Sequence, residues 1–325
     1  MTTLLSVRDL QVTIGQAHPV DGINLDVSSG EMLGIVGESG SGKSMTLRAI
    51  LRLLPPTAST TGAVSWQGRD LLGLPEPQMR RIRGGEIAMV FQEPMTALNP
   101  VLTIGLQITE SLGVHRNLTG RAAREQAAAL LDQVGIPDAR RRLSNYPHEF
   151  SGGMRQRAMI AAALAGGPKL LLADEPTTAL DVTIQDQILK LLLQLKQALA
   201  MSVVIVTHDL GVVAGTCDRV AVLYAGRVME SGPVDAVFAR PAHAYTLGLL
   251  RSLPGAAKAH TRLGGIPGTP PDPLAIPAGC RFAPRCALAI DACRAADPPL
   301  MPVGPGRLSA CIRADAVQDE ALLAA

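Results

Sequence analysis

Gly37-Glu38-Ser39-Gly40-Ser41-Gly42-Lys43-Ser44 fits the phosphate-binding pattern G-x-x-x-x-G-K-[ST]. Before it, Leu33-Gly34-Ile35-Val36 predicts a buried strand. After it, Met45 to Leu54, rich in Leu, Ile and Ala, predicts a helix ended by Pro55-Pro56. Strand, glycine loop and helix are the context this pattern needs. The glycines let backbone N–H groups turn inward on a polyphosphate, and the helix N-terminus adds a partial positive charge. Lys43 has the reach for the β- and γ-phosphates, and the Ser44 hydroxyl is suited to ligate Mg²⁺. A glycine-rich turn with a chance Lys-Ser is the plain alternative, and both flanks argue against it. The chain is expected to bind a nucleoside triphosphate.

Bulk properties narrow the classes. A chain of 325 residues can hold two domains, each with its own core. A net charge of +2 offers no global attraction for nucleic acid, and aromatics at 2% leave little for base stacking. No basic-then-apolar N-terminal segment resembles a signal peptide. The longest uncharged stretch of the middle, Ala158 to Pro168, is too short and glycine-rich to span a bilayer. A cytosolic globular protein is expected, and any service to a membrane would come from the soluble side. Cys217 stands alone, while Cys280, Cys286, Cys293 and Cys311 crowd the C-terminal tail. In a reducing cytosol, clustered thiols suggest metal ligation more than disulfides.

Upstream of the loop, Leu5-Val7-Leu10-Val12 and Ile23-Leu25-Val27 alternate loosely, with Asp21-Gly22 and Ser28-Ser29-Gly30 as turns. An adenine-stacking aromatic is expected here, but Ile14 occupies the candidate position, which allows apolar packing and not π-stacking. Downstream, Glu86 to Phe91 predicts a short strand delivering Gln92, whose neutral amide can touch both Mg²⁺ and an attacking water. A lone Gln is more often a surface residue. Pro94 to Pro100 reads as a loop into a helical region, where Ala127, Leu130, Leu131 and Val134 follow a helical stripe. Ser151-Gly152-Gly153-Met154 opens a helix over Arg155 to Ala165: either a simple cap or a second phosphate-binding helix end. Lys169 to Asp174 predicts a buried strand ending in Asp174-Glu175, where parallel α/β sheets place ligands. Asp174 then suits the Mg²⁺ shell and Glu175 the general base; a solvated turn is the alternative. Ile184, Ile188, Leu191, Leu192, Leu195 and Leu199 mark a core-facing helix. Val203 to Thr207 predicts a strand with His208 at its end, either a solvated histidine or one facing the γ-phosphate. Val220–Leu223 and Arg227–Glu230 flank an Ala225-Gly226 turn as a hairpin.

In this order the pieces resemble the ATP-binding cassette ATPases that power ABC transporters: Gly37–Ser44 (phosphate loop), Gln92 (Q-loop), Phe150 to Met154 (signature), Leu170–Pro176 (Walker B), Ala179-Leu180-Asp181 (D-loop) and His208 (switch histidine). The signature departs from the commoner Leu-Ser-Gly-Gly-Gln at Phe150 and Met154. The runs at 146–157 and 91–100 nevertheless look like the peptide-importer branch. The resemblance implies an α/β fold: a P-loop core with an antiparallel β subdomain, an inserted helical subdomain (about 94–165) and an irregular Cys-containing extension. Residues 1–235 would form the nucleotide-binding domain and 236–325 the extension. It also implies two cassettes sandwiching two ATP molecules, with Ser151, Gly152, Gly153 and Met154 meeting the partner's ATP. Catalysis would use Glu175, His208 and Gln92, with Ser44, Gln92 and Asp174 around Mg²⁺. The implied partners are a second cassette, taken as a paralogue in a heterodimer, two permease subunits and an extracytoplasmic substrate-binding protein, at the cytoplasmic face of the membrane. No nucleic acid partner is expected.

The extension, with Ile266 to Pro271 and Gly279 to Cys286, resembles the C-terminal region of oligopeptide and dipeptide importer ATPases. Prolines through 267–277 suggest an irregular segment. The cysteine gaps are unlike the short knuckles of zinc sites. Some members of the family carry an iron–sulfur cluster here, so a [4Fe–4S] cluster on Cys280, Cys286, Cys293 and Cys311 is expected, with zinc or packed free thiols as alternatives. Cys217 is expected to be a core residue. Cargo is read as di- or oligopeptides, with nickel or glutathione uptake as the nearest alternative. A soluble ABC ATPase acting on nucleic acid or the ribosome is the rival of another class. Against it, Ser44 to Ser151 leaves no room for a long coiled coil, and no basic stripe appears. A cassette that binds without hydrolysing conflicts with Glu175.

Overall fold

The N-terminal strands β1 (Thr3–Ile14) and β2 (Ala17–Ser28) meet at a Gly15-Gln16 turn, with Gly15 at φ 60°. Asp21-Gly22 therefore lies inside β2 and is no turn between strands. The alternation of β1 switches parity, with Leu5 and Val7 buried on odd positions and Leu10 and Val12 on even ones. An irregularity in the β1–β4 register between Arg8 and Gln11 inserts the extra residue that causes this switch. Next come β3 (Met32–Val36), buried throughout, and α1 (Lys43–Ile50). The helix stops well short of the prolines, because Arg52 takes φ 53° just past it. β4 (Ala58–Trp66) and β5 (Arg69–Asp70) complete an antiparallel-paired sheet of order β2-β1-β4-β5.

The computed structural model describes residues 2–178, 180–253 and 265–324; Ala179 of the expected D-loop lies outside them, as do residues 254–264 of the extension. Two units divide the chain. One comprises Thr3–Val27, Met32–Leu72 and Thr207–Ala325; the other comprises Met1–Thr2, Ser28–Glu31 and Gly73–Val206.

In the second of these, α2 (Glu76–Ile82) precedes β6 (Ile87–Val90). A run of helices follows: α3 (Pro94–Ala97), α4 (Ile104–Arg116), α5 (Gly120–Gln133), α6 (Ala139–Arg142) and α7 (Gly152–Leu164). The expected Pro94–Pro100 loop thus contains one helical turn, whose Thr96 and Ala97 N–H groups donate to the Glu93 carbonyl. Proline at the first helical position does not oppose it. Ala127, Leu130, Leu131 and Val134 are buried, as their spacing predicts. β7 (Leu170–Asp174), α8 (Val182–Ala198) and β8 (Ser202–Thr207) follow. The strands β6, β7 and β8 run parallel, with Ile87 opposite Leu170 and Leu170 opposite Ser202. Ile188, Leu191, Leu192 and Leu195 of α8 are buried, but Leu199, just past its end, is exposed.

The first unit resumes with α9 (Leu210–Thr216), β9 (Arg219–Tyr224) and β10 (Arg227–Pro233). Ala225 and Gly226, at φ 45° and 84°, make the hairpin turn. β9 pairs in parallel with β3, Val36 facing Val222, so the strand before the phosphate loop is fixed by the hairpin. The extension is less irregular than its prolines suggest. It holds α10 (Val234–Ala239), α11 (Ala244–Arg251), α12 (Asp291–Ala295), β11 (Met301–Gly304), β12 (Arg307–Ser309) and α13 (Ala314–Ala324). β12 pairs antiparallel with β10, while the proline-rich residues 267–277 form no regular element. Among the described residues, no helix is long and apolar enough to cross a membrane.

Glu230, fully buried on β10, ties the extension down by accepting from the Ala242 and His243 N–H groups at 2.9 and 3.0 Å and from Arg307 at 3.1 Å. His243 caps α11, its Nδ1 accepting from the Tyr245 N–H at 3.1 Å, and burial pushes its pKa down to about 4. The neutral imidazole of the fold therefore resists a proton that the unfolded chain takes up near the ordinary value of 6.5. Stability is lost as pH falls from about 6.5 to about 4, by at most about 3 kcal/mol. Burial raises Glu230, whose contribution has the opposite sign. His243→Asn keeps a capping acceptor and removes the titration, so its melting temperature is expected to fall less than that of the natural chain over this window. Parallel curves in a pH series of thermal melts would contradict this.

Candidate functional site

In the unit that holds β3, the phosphate loop is shaped by close backbone approach. A Cβ on Gly37 would lie 2.1 Å from the Leu223 carbonyl oxygen and 2.8 Å from Ser41 Oγ, at φ 155°. Only glycine fits there. Lys43, buried at the start of α1, donates from Nζ to the Gly37 and Glu38 carbonyls, both at 2.8 Å, and lies 3.4 Å from Ser41 Oγ. Ser44 is the second residue of α1. Ser39 and Gly40 are exposed at the loop's tip, and Gly42 precedes the helix at φ 97°. Glu38 is held from outside the loop. Its N–H donates to Tyr245 Oη at 2.8 Å, and its carboxylate receives Arg285 Nη1 at 2.6 Å and Nη2 at 2.9 Å. Ile14, partly buried at the end of β1, pairs with Ala58. His208, exposed, directly follows β8, and Asp209 beside it caps α9 by accepting from the Gly211 N–H at 2.7 Å.

The other unit carries the acids. Asp174 is completely buried at the last position of β7. Glu175 takes the left-handed φ of 45°, which costs a non-glycine residue about 1–3 kcal/mol and persists only where its surroundings impose it. The surroundings do impose it. Its N–H donates to the Val206 carbonyl at 3.0 Å, while its Oε2 accepts from Gln92 Nε2 at 3.2 Å and Thr178 Oγ1 at 2.7 Å. Gln92 and Glu175 are thus brought together, although 83 positions apart. Thr178 was not singled out in the sequence, where it is one of two threonines after Pro176.

The signature lies in this unit too. Ser151 Oγ accepts from the Met154 N–H at 3.3 Å and caps α7, which begins at Gly152, earlier than expected. Ser151 and Gly152 are exposed, and Gly153 packs so closely on α8 that a Cβ would meet Ile184 at 2.9 Å. Behind them, Arg155 Nε donates to the Pro147 carbonyl at 2.8 Å and fixes the preceding turn. Asp181 caps α8, accepting from the Ile184 N–H at 2.9 Å. On α4 the apolar Leu106 and Val114 are exposed, and Leu106 lines a groove with Glu110 and Arg124.

Cys280, Cys286, Cys293 and Cys311 line one small apolar pocket with Phe282 and Val317. All are free thiols. Burial pushes Cys280 and Cys286 up, and Cys311 up to about 11, so the neutral thiols are favoured. Among the described residues, no three His, Cys, Asp or Glu side chains are arranged to hold a metal ion. The expected cluster ligands converge on one pocket without forming a ligand set. Cys217 packs on the core beside Gly34, as expected.

Residues 20–178 match the model of the ABC transporter family, and residues 229–293 match that of the oligopeptide/dipeptide transporter C-terminal region. The chain is 53% identical to the "Probable peptide ABC transporter ATP-binding protein y4tR" of Sinorhizobium fredii, over 97% of this chain and 96% of that protein. It is 49% identical to the oligopeptide transport ATP-binding protein OppD of Salmonella typhimurium, over 95% of this chain and 93% of that protein. Among solved structures, the ATP-binding cassette MJ0796, a dimer in a post-hydrolysis state with ADP and Pi, matches with a TM-score of 0.63. That likeness is 31% identical and covers 71% of this chain and 99% of the other. With the phosphate loop and the Gln92–Glu175 pair in place, these matches establish that the chain belongs to the oligopeptide/dipeptide transporter family of ABC ATPases.

Proposed function

We propose that the chain is the ATP-hydrolysing subunit of a membrane importer that takes up di- and oligopeptides. The observation that carries the reading is Glu175: a carboxylate directly after the buried strand end Asp174, its left-handed backbone held by the Val206 carbonyl and its side chain by Gln92 and Thr178. Residues 1–235 act as the nucleotide-binding domain, with a helical subdomain at about 94–165, and 236–325 as the extension.

Gly37 to Ser44 cradle the phosphates of ATP, and Lys43 exchanges the Gly37 and Glu38 carbonyls for β- and γ-phosphate oxygens. Ser44, Gln92 and Asp174 would hold Mg²⁺, which when bound would supply neutralisation of the charge on those oxygens. Glu175 takes a proton from the attacking water as the water oxygen bonds to the γ-phosphorus and ADP leaves, while His208 stabilises the γ-phosphate. The N-terminal turn of α7, at Ser151, Gly152, Gly153 and Met154, meets the ATP of a partner cassette, with Asp181 at the same interface. That partner is read as a paralogue. The exposed apolar residues of α4 suit a permease segment, and the chain is read as peripheral at the cytoplasmic face. Relatives named for peptide transport over nearly their whole length favour peptides over nickel or glutathione, and a transporter over a soluble ATPase of nucleic acid or the ribosome.

The test is affinity purification from gently solubilised membranes, with mass spectrometry of the co-purifying chains. Two permease subunits and a second cassette are expected. Nucleic acid or ribosomal components without a permease would overturn the reading. The reading of a [4Fe–4S] cluster rests on Cys280, Cys286, Cys293 and Cys311 as four soft donors lining one pocket, although among the described residues no three of them are arranged to hold a metal ion. Iron and acid-labile sulfide in the same preparation, made without air, decide it.

A further inference from the structure

We propose that Arg285 is a positioning residue of the ATP site: its guanidinium grips the carboxylate of Glu38 and holds the phosphate loop in shape, which makes the C-terminal extension part of the nucleotide-binding apparatus. This rests on the reading of Gly37 to Ser44 as the ATP site.

The geometry is that of a socket built for one side chain. Arg285 presents five N–H donors, and five acceptors meet them. Nη1 reaches Glu38 Oε2 at 2.6 Å and Tyr224 Oη at 3.2 Å; Nη2 reaches Glu38 Oε1 at 2.9 Å and the Ile266 carbonyl at 3.4 Å; Nε donates to the Pro267 carbonyl at 2.8 Å. The side chain is 5% exposed, and its guanidinium carbon stands 5.7 Å from the Tyr224 ring centre and 5.9 Å from that of Phe282. A buried cation so placed needs its carboxylate, and the two parallel hydrogen bonds fix the orientation of Glu38 as well as its position.

Glu38 is the first variable residue of the phosphate loop, and every part of it is spoken for. Its carboxylate is on Arg285, its N–H on Tyr245 Oη, and its carbonyl accepts from Lys43 Nζ. Arg285 and Tyr245, both from the extension, therefore set the peptide unit against which Lys43 is held. A second contact points the same way. Pro270, Pro271 and Pro273 of the extension line a cleft whose other wall is Glu38 to Ser41. A loop that binds phosphates through its backbone depends on holding that backbone still, and these contacts hold it.

The role predicts a split between binding and turnover. In the full-length chain purified with its permease, Arg285→Lys, which keeps the charge but lacks the planar fork, is expected to raise KM for ATP by about tenfold, as loss of the bidentate geometry implies, with kcat nearly unchanged. Arg285→Gln and Glu38→Gln are each expected to weaken binding of a fluorescent ATP analogue. The double variant, whose two amides can pair, is expected to bind no worse than either single one. Should Arg285→Gln fail to fold, Tyr245→Phe, which removes only the hydroxyl facing Glu38 N–H, is expected to raise KM in the same direction. Wild-type KM in Arg285→Lys, or strictly additive losses in the double variant, would overturn the proposal while leaving the ATPase reading intact. A natural chain that binds no ATP would overturn both.

Discussion

Glu175→Gln is expected to lower kcat for ATP hydrolysis by about 10²–10⁴, the range a positioned general base supplies. The dissociation constant for ATP is expected to change little, because the carboxylate acts on the water and not on the nucleotide. The substitution is nearly isosteric, and the local contacts tolerate it. Thr178 Oγ1 and Gln92 Nε2 both donate to Glu175 Oε2, and a glutamine carbonyl oxygen can accept from both. The left-handed backbone at this position is held by the Val206 carbonyl, which the variant keeps. Single-turnover hydrolysis and equilibrium binding, measured side by side, separate the two effects. Unchanged turnover would remove Glu175 from its role.

Gly37→Ala is expected to abolish ATP binding outright. The new methyl would sit 2.1 Å from the Leu223 carbonyl oxygen, at the end of a strand that β3 and β10 hold on either side. That oxygen cannot retreat without breaking the ladder. Strain at a disfavoured φ adds about 1–3 kcal/mol, and overpacking a similar amount. The loop yields before the sheet does, and the N–H groups that would face the phosphates lose their common direction. Gly40→Ala is the internal comparison. Gly40 also has a positive φ, of 78°, but nothing lies within 4 Å of its would-be Cβ, so a smaller loss of affinity is expected. Saturable binding by Gly37→Ala with wild-type affinity would contradict the steric account.

Much of this was legible in the chain because its chemistry is local in sequence. The phosphate loop, the Leu170–Asp174 strand with Glu175, and Ser151 with its glycines each read correctly as strand end, loop or cap, since hydrophobic runs mark buried strands and glycines mark sharp turns. What pattern could not supply was distance across the sequence. Arg285 sits in a Pro-Arg-Cys run that draws attention to its cysteine, and its partner Glu38 is 247 positions away. The parity switch in β1 is equally hidden, because a bulge depends on the partner strand. Four cysteines at gaps of five, six and seventeen residues say that thiols are near in sequence, not that their sulfurs share a coordination centre. Prolines concealed the opposite: helices and a strand pair on either side of an irregular segment, anchored through buried Glu230 and Arg307.

The central claim is that hydrolysis at this site drives peptide uptake. Its most direct measurement is ATP hydrolysis by the purified complex in proteoliposomes, with and without peptide-loaded binding protein, alongside the movement of labelled peptide. The account predicts that loaded binding protein raises hydrolysis, that peptide crosses to the side holding ATP, and that Glu175→Gln stops both. Hydrolysis indifferent to binding protein, with no peptide crossing, would contradict it.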